Sequence, residues 1–308
     1  MNGLSYVLIT TARNEEAFIE KTIQSVISQT VLPLKWVIAS DGSRDRTDDI
    51  VRRYAEKYDW IELIRMPGRE ERHFAGKAIA FNTCFEKVMQ LNYDVIANID
   101  ADVSFERDFV EYLLDQFRRW PELGVAGTDY IEGDFHSFRN SYIDENHVNG
   151  QCQFFRRRCF EEIGGYAPVR EGGIDWIAVT TARMNGWNTY SFSEKVFTHH
   201  REMGTAGRNI LISRFNNGKK DYCRGSHPMW HIIRSAYQMT KKPYLVGGVF
   251  LLAGYLWSSV RGIKRPVSTE LMHFYRQEQM ERLKRISFGI LTDRKRLPTR
   301  VPGPYSTH

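Results

Sequence analysis

The sequence predicts an α/β fold: a mostly parallel sheet wound with helices, followed by a basic, partly apolar helical region at the C-terminus. Two observations support this prediction. In the first half of the chain, short apolar or β-branched runs alternate with helix-like stretches, as in sheets whose parallel strands are joined by helices. The charge is also divided, because residues 1–218 hold 26 Lys and Arg against 32 Asp and Glu, whereas residues 219–308 hold 17 against 5.

Composition excludes several other classes of protein. The chain has 308 residues, of which 42% are hydrophobic and 26% charged, so it can fill a core and is not a disordered chain. Its four cysteines show no CxxC spacing, so neither a zinc ribbon nor a disulfide scaffold is indicated. The first apolar run is short and lacks a basic flank, which argues against a signal peptide and for a reducing, cytoplasmic compartment.

Apolar periodicity and capping residues predict the individual elements. The predicted strands are 4–10, 34–39, 61–65, 95–99, 123–128 and 151–156. The predicted helices are 15–29, 45–58, 77–90, 106–119, 158–163 and 175–185. The alternation breaks near Asp129, which divides the predicted domain 1–218 into a first half, 1–128, and a second half, 129–218.

Polar and acidic residues follow three of the predicted strands, at 10–16, 40–46 and 100–102. Ligands of such sheets bind at the carboxyl ends of the strands. Asp100 and Asp102 leave an apolar strand two residues apart, and two carboxylates so placed can share a divalent cation that bridges to substrate phosphates. A solvated acidic turn is the alternative, but the position at the end of a central strand favours the cation.

The first two polar strand ends have two interpretations. Residues 11–16 and 40–47 offer amide and carboxylate acceptors to a nucleobase or ribose. Helix capping by Asn14 and a tight turn at Gly42 explain the same residues as well. On these residues alone, both interpretations stay open.

Five motifs in order resemble those of the family 2 glycosyltransferases. They are TARNEE at 11–16, SDGSRDRT at 40–47, GKAIAFN at 76–82, NIDAD at 98–102 and GQCQFFRRRCFEEIGGY at 150–166. Each motif is weak alone, but the five in this order are jointly specific, and they cover roughly residues 1–205. The resemblance implies an inverting enzyme of the GT-A fold that transfers a sugar from a nucleotide-diphosphate sugar, with a UDP-sugar expected.

The resemblance also implies roles for individual residues. Those expected to bind the nucleotide and the donor sugar are Thr11, Ala12, Asn14, Glu16, Asp41, Lys77, Asn82 and Asp100. Asp41 would face the base, although SDGS stands here where many members carry two adjacent acids before the glycine. The divalent metal, Mn²⁺ or Mg²⁺, would be held by Asp102 and by His200, which we favour over His199.

Inversion requires a carboxylate that takes the proton of the acceptor hydroxyl. In the family this base lies downstream of the GGY motif near the start of a helix, which corresponds here to Asp175. Glu171 is a rival, and an ordinary helix N-cap is the structural alternative for Asp175.

An uncharged stretch at 244–260 lies between basic residues: Lys241, Lys242, Arg261, Lys264 and Arg265. Its 17 residues are at the lower limit for crossing a hydrocarbon core of about 30 Å, and bases at both ends disfavour a single crossing. A re-entrant or surface-lying segment is therefore expected, with a buried core helix as the alternative. The basic helical stretch 269–286 that follows has the pattern of a helix lying on anionic lipid, with packing on the catalytic domain as its alternative.

Residues 279–283, QMERL, faintly resemble the QxxRW signature of processive polysaccharide synthases but lack its tryptophan. Transfer of a single sugar is therefore predicted, to a glycan acceptor linked to polyprenyl diphosphate, in cell-surface polysaccharide or glycolipid synthesis. The protein would bind an anionic membrane surface as a peripheral or monotopic protein on the cytoplasmic face, through its basic region 219–308.

Two other enzyme functions are alternatives. A soluble glycosyltransferase with a protein or small-molecule acceptor keeps the fold and changes the acceptor. A nucleotidyltransferase would need a glycine-rich phosphate loop after the first strand, and residues 11–16 are not one. No nucleic-acid partner is expected, because no recognised binding motif accompanies the basic residues.

Overall fold

The structure is a computed structural model that describes residues 3–67, 74–137, 146–170, 172–201 and 210–292. Its strands are β1 (Tyr6–Ala12), β2 (Lys35–Ser40), β3 (Ile61–Arg65), β4 (Val95–Ile99), β5 (Val103–Phe105), β6 (Leu123–Glu132), β7 (Phe135–His136), β8 (Cys152–Arg156) and β9 (Asn188–His199). Its helices are α1 (Ile19–Ile27), α2 (Thr47–Ala55), α3 (Phe74–Val88), α4 (Phe109–Arg119), α5 (Arg157–Glu162), α6 (Ile174–Met184), α7 (Ile210–Cys223), α8 (Pro228–Met239), α9 (Val246–Val260) and α10 (Thr269–Thr292).

The strands of the described residues form one mixed sheet in the order β3-β2-β1-β4-β8-β6-β9-β5, with β7 paired to β6. The predicted parallel arrangement is found in the first four strands, where β1 pairs with β2 and β4, and β2 with β3. Strand β8 runs antiparallel to both β4 and β6. The reason is that the chain enters β8 at the end where β4 finishes, since the Asp100 N–H donates to the Gln151 carbonyl at 2.8 Å.

The sheet is covered on both faces, so its central strands are apolar on both sides. All five residues of β4 are buried, as expected for a strand that helices cover from both directions. Alternate residues of β1 enter different cores: Leu8 packs into the cluster that includes α1 and α4, and Ile9 into the one that includes α3 and α6. Because the central strands are packed on both faces, the polar residues at their ends are held in fixed positions.

The predicted α/β fold is confirmed, and most elements lie within a few residues of their predicted bounds. The helix predicted at 15–29 begins only at Ile19, because the preceding backbone is held by another loop. There the Glu15 N–H donates to Thr47 Oγ1 at 2.7 Å and the Glu16 N–H to Asp45 Oδ2 at 3.0 Å. Strands β5, β7 and β9 and helices α7 and α8 lie outside the elements with predicted bounds.

Helices α7 to α9 pack closely through glycines. A methyl group at Gly254 would lie 1.9 Å from the Phe215 carbonyl oxygen, and one at Gly218 would lie 2.0 Å from the Leu251 carbonyl oxygen. Only glycine therefore permits this approach of α9 to α7. The domain boundary predicted after residue 218 falls inside α7.

Helix α10 packs against α6 of the sheet domain. Arg183 of α6 forms a two-point ion pair with Glu278, with Nε–Oε1 at 2.6 Å and Nη2–Oε2 at 3.0 Å. The ring centroids of Trp176 and Tyr275 lie 4.4 Å apart. The basic C-terminal region is thus joined to the helix whose first turn carries Asp175.

Helix α9 has one packed face and one exposed face. Its glycines, Leu251, Tyr255 and Ser258 are buried, whereas the opposite face is apolar and exposed: Val246, Val249, Ala253, Leu256, Trp257 and Val260. The segment predicted at 244–260 is therefore neither a fully buried core helix nor a free one. Among the residues that the structure describes, no helix combines the length and apolarity needed to cross a membrane.

Candidate active site

Asp100 and Asp102 lie where β4 ends and the short strand β5 begins. The loop between them is held from both sides, since the Asp100 N–H donates to the Gln151 carbonyl and the His200 N–H donates to the Asp102 carbonyl, both at 2.8 Å. Strand β5 in turn pairs with the end of β9 at His199. This pairing places the end of β9 beside the two carboxylates.

Lys77, from the first turns of α3, donates a hydrogen bond to Asp100. Burial lowers the pKa of Lys77, but the charge of Asp100 and its hydrogen bond, together with Asp175 and Asp102, outweigh this effect and raise it. Burial raises the pKa of Asp100, and the charge of Lys77 opposes that shift without cancelling it. One ammonium group therefore interacts with three carboxylates from two parts of the chain, the loop after β4 and the start of α6.

Asp102 interacts with two cationic side chains at the end of β9, His199 in its last position and Arg201 two residues beyond. Its Oδ2 lies 3.5 Å from His199 Nε2 and 3.3 Å from Arg201 Nε. Burial raises the pKa of the Asp102 carboxyl, but the hydrogen bond and charge of His199 and the charge of Arg201 lower it overall. Arg201 also pairs with Glu15, so one guanidinium joins the first strand end to the Asp102 loop.

His199 is held between two carboxylates. Its Nδ1 lies 2.7 Å from Glu132 Oε2 of β6, on the side opposite Asp102. Burial lowers the pKa of His199, but its hydrogen bonds with Asp102 and Glu132 raise it to about 9. A carboxylate behind an imidazole orients the ring, as it does for histidines that ligate metals.

The predicted metal ligand His200 points away from Asp102, and its neighbour His199 lies beside it. The Nε2 atom of His200 lies 2.8 Å from Ser104 Oγ, and its ring stacks on Phe18 at a centroid distance of 6.1 Å. The alternation of side chains along an extended segment explains the difference, because neighbouring residues point to opposite sides. His199, not His200, is therefore the imidazole beside Asp102.

Asp175 lies in the first turn of α6 and packs against Gly150, the residue before Gln151. A methyl group at Gly150 would lie 2.7 Å from Asp175 Oδ2. The Asn98 amide holds the Gly150 carbonyl at 2.9 Å. The predicted base thus lies against the segment that also supports Asp100. Glu171, the rival candidate, lies outside the described residues.

The residues predicted to line the nucleotide pocket lie on two loops that are bonded to each other. Thr11 and Ala12 end β1, and the Asp41 N–H donates to the Ala12 carbonyl at 2.8 Å. Asn14 has a φ of 55°, and its side-chain oxygen accepts from the Arg44 N–H at 2.9 Å.

The carboxylates of these two loops also make contacts of their own. Glu16 accepts from the Arg46 N–H at 3.1 Å. Asp41 lies 3.8 Å from the Arg13 guanidinium. Asn14 and Glu16 therefore brace the two loops, and Asp41 stands at their junction.

Asn82 is the predicted site residue that lies apart from the carboxylates. Its amide donates to the Tyr166 carbonyl at 2.9 Å, which joins α3 to the glycine turn after α5. The Tyr166 hydroxyl donates to Gln153 Oε1 at 2.5 Å, and burial raises the pKa of this phenol well above its usual value. Asn82 therefore has a structural contact here, which holds the segment at Tyr166 against α3.

Sequence reasoning missed three charged residues of this site. Glu15 belongs to the motif TARNEE and Arg201 follows the histidine pair, but nothing in the sequence pairs them with each other. Glu132 lies in no motif, and only the alignment of β6 with β9 brings it to His199. The carboxylates and imidazole present, Asp100, Asp102 and His199, are ligand types that Mn²⁺ accepts, and Mg²⁺ accepts the two carboxylates. In the described ranges, no group of three or more His, Cys, Asp and Glu side chains is arranged to hold a metal on its own.

Known structures share this fold. A mannosyltransferase of Pyrobaculum calidifontis, PcManGT, solved with GDP-Man and Mn²⁺, superposes with a TM-score of 0.58 at 17% identity, over 96% of this chain and 89% of that one. The 1–349 fragment of S. aureus TarS with UDP superposes with a TM-score of 0.53 at 12% identity, over 94% and 91% of the two chains. At these identities the likeness shows the fold, which is that of the GT-A glycosyltransferases.

Sequence comparison then assigns the family. The model of glycosyl transferase family 2 matches residues 7–171, more than half of the chain, and the chain belongs to that family. A poly-beta-1,6-N-acetyl-D-glucosamine synthase of Staphylococcus aureus (strain COL) is 28% identical over 126 residues, which are 41% of this chain and 28% of that protein. The match therefore covers less than a third of the length of this relative. The resemblance inferred from the five motifs is confirmed.

Proposed function

We propose that the protein is an inverting glycosyltransferase that moves one sugar from a nucleotide-diphosphate sugar to a hydroxyl of a glycan acceptor. The observation that carries the proposal is the meeting of Lys77 with Asp100, Asp102 and Asp175 at the carboxyl end of β4. Membership of family 2 supports the same reaction. The acceptor proposed is lipid-linked and belongs to cell-surface polysaccharide or glycolipid synthesis.

The donor binds along the strand ends in this proposal. Thr11, Ala12 and Asp41 border the space for the base and ribose, and the braced loops keep these residues in place. Lys77 and Arg201 supply positive charge for the diphosphate, because both lie at the Asp100–Asp102 loop. Asp100 and Asp102 would hold Mn²⁺ or Mg²⁺ together with the diphosphate of the donor, and His199 would be a further ligand for Mn²⁺. The metal, when bound, supplies Lewis acidity for the departing nucleotide diphosphate.

Asp175 is proposed as the general base. The acceptor oxygen attacks the anomeric carbon and forms the new C–O bond, while its proton passes to the Asp175 carboxylate. The bond from the anomeric carbon to the diphosphate oxygen breaks, and its electron pair leaves with the nucleotide diphosphate. Asp175 is half-buried, so it can meet an acceptor while water has limited access.

A UDP-sugar is the proposed donor. Support comes from the TarS fragment, which has been solved with UDP and with UDP-GlcNAc, and from the N-acetylglucosamine named in the synthase that matches in sequence. PcManGT, with the same fold, binds GDP-Man instead. Nucleotide choice therefore has to be measured.

Association with an anionic membrane surface is proposed for the C-terminal helices. The exposed apolar face of α9 lies between basic residues at both helix ends: Lys241, Lys242, Arg261 and Lys264. An in-plane helix of this kind buries its apolar face at the lipid boundary while the bases meet anionic headgroups. The location proposed is peripheral or monotopic on the cytoplasmic face.

The test compares nucleotide binding and transfer in the wild type and two variants. Thermal stabilisation by UDP, GDP and dTDP is measured with and without Mn²⁺ for the wild type, Asp102→Asn and Asp175→Asn. We expect UDP to raise the melting temperature of the wild type when Mn²⁺ is present. Asp102→Asn should lose this increase and Asp175→Asn should keep it. Transfer from UDP-GlcNAc to a prenyl-diphosphate-linked sugar is expected to be lost in Asp175→Asn.

The control is Asp134→Asn, at an exposed aspartate in the β6–β7 turn, which should behave as the wild type in both assays. A folded wild type that no nucleotide stabilises would overturn the proposed function. Near-normal transfer by Asp175→Asn would remove Asp175 as the base while leaving the donor site intact.

A further inference from the structure

Two arginines, Arg234 and Arg224, lie close to one buried aspartate on the C-terminal helices, outside the donor site, and a third, Arg214, lies close to Arg234. Asp221 of α7 is 5% exposed. It pairs with Arg234 of α8 and lies 3.2 Å from Nδ1 of His231. Its pKa is raised by burial but lowered overall by the charges of Arg234 and Arg224 and by the hydrogen bond with His231. One carboxylate thus offsets only part of the arginine charge.

Two of the three arginines also have a buried N–H group without a hydrogen-bond partner in the part of the chain that the structure describes. The Nε atoms of Arg214 and Arg224 are buried and have no hydrogen-bond partner among the described residues. Burial and the neighbouring Arg234 lower the pKa of Arg214. Two buried guanidinium N–H donors without acceptors are costly, and the oxygens of a bound anion would remove that cost.

Arg224 connects this cluster to the proposed base. Its Nε lies 2.9 Å from the position of a methyl group at Gly173, the N-cap residue of α6, two positions before Asp175. Its guanidinium carbon lies 5.5 Å from the centre of the Trp176 ring. The arginine therefore covers the N-terminus of α6, where the helix dipole also favours an anion.

Tyr275 of α10 joins this cluster to the last helix. Its phenol interacts electrostatically with Asp221, Arg224 and Arg234, and its ring contacts Trp176. Gln279, one helical turn further on, fixes the α7–α8 junction by donating to Ser226 Oγ at 2.8 Å and accepting from the His227 N–H at 2.7 Å. The arginines are thus carried on a rigid joint between α7, α8 and α10.

The cluster is open to solvent on the side of the exposed apolar residues. The Arg234 side chain is 46% exposed, and its neighbours on α8, Ile232 and Ile233, are 56% and 45% exposed. A ligand with phosphate groups and an apolar chain could therefore place its phosphates on the arginines and its chain along this face. The sugar that follows the phosphates would then point toward Asp175.

We propose that Arg214, Arg224 and Arg234 form a subsite for the phosphate groups of a prenyl-diphosphate-linked acceptor. This inference rests on the proposed function, since it assigns the acceptor of that reaction. It differs from the donor site in its residues, none of which contacts Asp100 or Asp102. Its role is to anchor the acceptor so that the accepting hydroxyl reaches Asp175.

The test is direct binding of geranyl diphosphate, inorganic pyrophosphate and geraniol by calorimetry, with no nucleotide and no metal. We expect the wild type to bind geranyl diphosphate, and Arg224→Gln to weaken that binding at least about tenfold. Arg224→Lys should retain more affinity than Arg224→Gln, because it keeps the charge and loses the fork geometry. Arg214→Gln provides a second variant should Arg224→Gln fold poorly.

Arg118→Gln is the matched control, since Arg118 is an exposed arginine paired with an aspartate on α4. It should bind geranyl diphosphate as the wild type does. Pyrophosphate binding as tight as that of geranyl diphosphate would assign the subsite to free phosphates and overturn the lipid-linked ligand. Equal affinity in the wild type and both glutamine variants would overturn the subsite itself.

Thermal stabilisation by UDP distinguishes a failure of this subsite from a failure of the proposed function. Arg224→Gln is expected to keep the Mn²⁺-dependent stabilisation by UDP while its KM for the prenyl-linked acceptor rises. If UDP stabilises the protein and geranyl diphosphate does not bind, the subsite is wrong and the glycosyltransferase assignment stands. If neither binds, the assignment of the reaction is itself overturned.

Discussion

Gly150 lies directly against Asp175, so the absence of a side chain at one residue sets the position of the proposed base at the other. A methyl group at Gly150 would stand 2.7 Å from both Cβ and Oδ2 of Asp175, closer than such atoms can approach. The carbonyl of Gly150 is at the same time held by Asn98. The backbone at 150 therefore cannot move away without disturbing the strand that leads to Asp100.

Gly150→Ala is predicted to displace Asp175 and to lower kcat for sugar transfer by about 10²-fold, the cost of misplacing a catalytic group by about 1 Å. Nucleotide binding should change less than kcat, because the residues proposed to border the base and ribose, Thr11, Ala12 and Asp41, lie at the ends of β1 and β2. Steady-state kinetics and thermal stabilisation by UDP with Mn²⁺ measure the two effects. Gly3→Ala, at a glycine with open space around it, is the control and should leave both unchanged. A normal kcat in Gly150→Ala would argue against Asp175 as the base.

A second prediction concerns the two adjacent histidines. His199→Ala should abolish most of the Mn²⁺-dependent stabilisation by nucleotide, because the ring of His199 is the one beside Asp102. Glu132→Gln should weaken Mn²⁺ affinity by about 10- to 100-fold, as removal of a carboxylate behind a ligating histidine does. Titration of Mn²⁺ at fixed UDP, followed by thermal shift, measures both.

His200→Ala is the matched control, because its ring bonds Ser104 and stacks on Phe18 instead. We expect it to keep most of the Mn²⁺ effect. The reverse result, in which His200→Ala loses the Mn²⁺-dependent stabilisation and His199→Ala keeps it, would support His200 as the metal ligand.

Much of the site could be predicted from sequence because its chemistry is local. Asp100 and Asp102 are two residues apart at the end of an apolar strand, so the pattern shows both the pair and its place in the fold. Arg201 and Glu15 are 186 positions apart, and no local pattern links them. Which of His199 and His200 faces Asp102 depends on the register of β9 with β5, which only the folded sheet sets.

The fold was predictable to a similar extent. The βα repeats of the first half imply parallel strands, and they form them. The direction of β8 depends instead on the end of the sheet at which the chain enters it, and that is decided by the contact between Gln151 and Asp100. Helices α7 and α8 were missed because their outward faces are apolar, so that the usual contrast between a buried and a polar face is weak.

The packing of α9 on α7 gives a third prediction. Gly254→Ala should destabilise the protein by about 1–3 kcal/mol, the usual cost of overpacking, because the methyl group would meet the Phe215 carbonyl at 1.9 Å. Gly247→Ala is the matched change in the same helix, where the nearest atom would be 3.4 Å away. It should be neutral or stabilise by about 0.4–1 kcal/mol, since alanine restricts the unfolded chain. Thermal unfolding of both variants measures the difference in stability. Equal destabilisation of the two would contradict the close contact of Gly254 with Phe215.

Asp221 gives a prediction for acid stability. Burial raises its pKa, but Arg234, His231 and Arg224 lower it overall in the folded protein, whereas an unfolded aspartate titrates near about 3.9. Its contribution to the free energy of unfolding is therefore complete above pH of about 4 and is lost as the pH falls through the lower, folded pKa. Asp221→Asn should be less stable than the wild type at pH 7, and the difference should shrink below pH of about 4.

The measurement is the thermal midpoint of both proteins between neutral and acidic pH. Asp49→Asn, at an exposed aspartate paired with Arg52, is the control and should differ little from the wild type throughout. A difference for Asp221→Asn that stays constant into strong acid would mean that the variant loses packing and not the ion pair.

The exposed face of α9 gives the last prediction. Val249 and Leu256 are each about half exposed, at 51% and 52%, and lie on the face opposite α7 and α8. Replacing both by glutamate should remove roughly 1.5–3 kcal/mol of apolar contact with lipid, which is a loss of about tenfold or more in binding to vesicles containing phosphatidylglycerol. Flotation of the protein with such vesicles, compared with neutral phosphatidylcholine vesicles, measures the effect.

The double variant Leu32→Glu and Leu34→Glu is the control, because these leucines are about as exposed, at 46% and 49%, but lie in the loop before β2. It should float with anionic vesicles as the wild type does. Binding should also weaken as salt is added, since the bases around α9 contribute through charge. A wild type that binds neither vesicle, or a control that loses binding equally, would mean that this apolar face meets something other than lipid. The geranyl diphosphate experiment would then show whether its occupant is the acceptor's own chain.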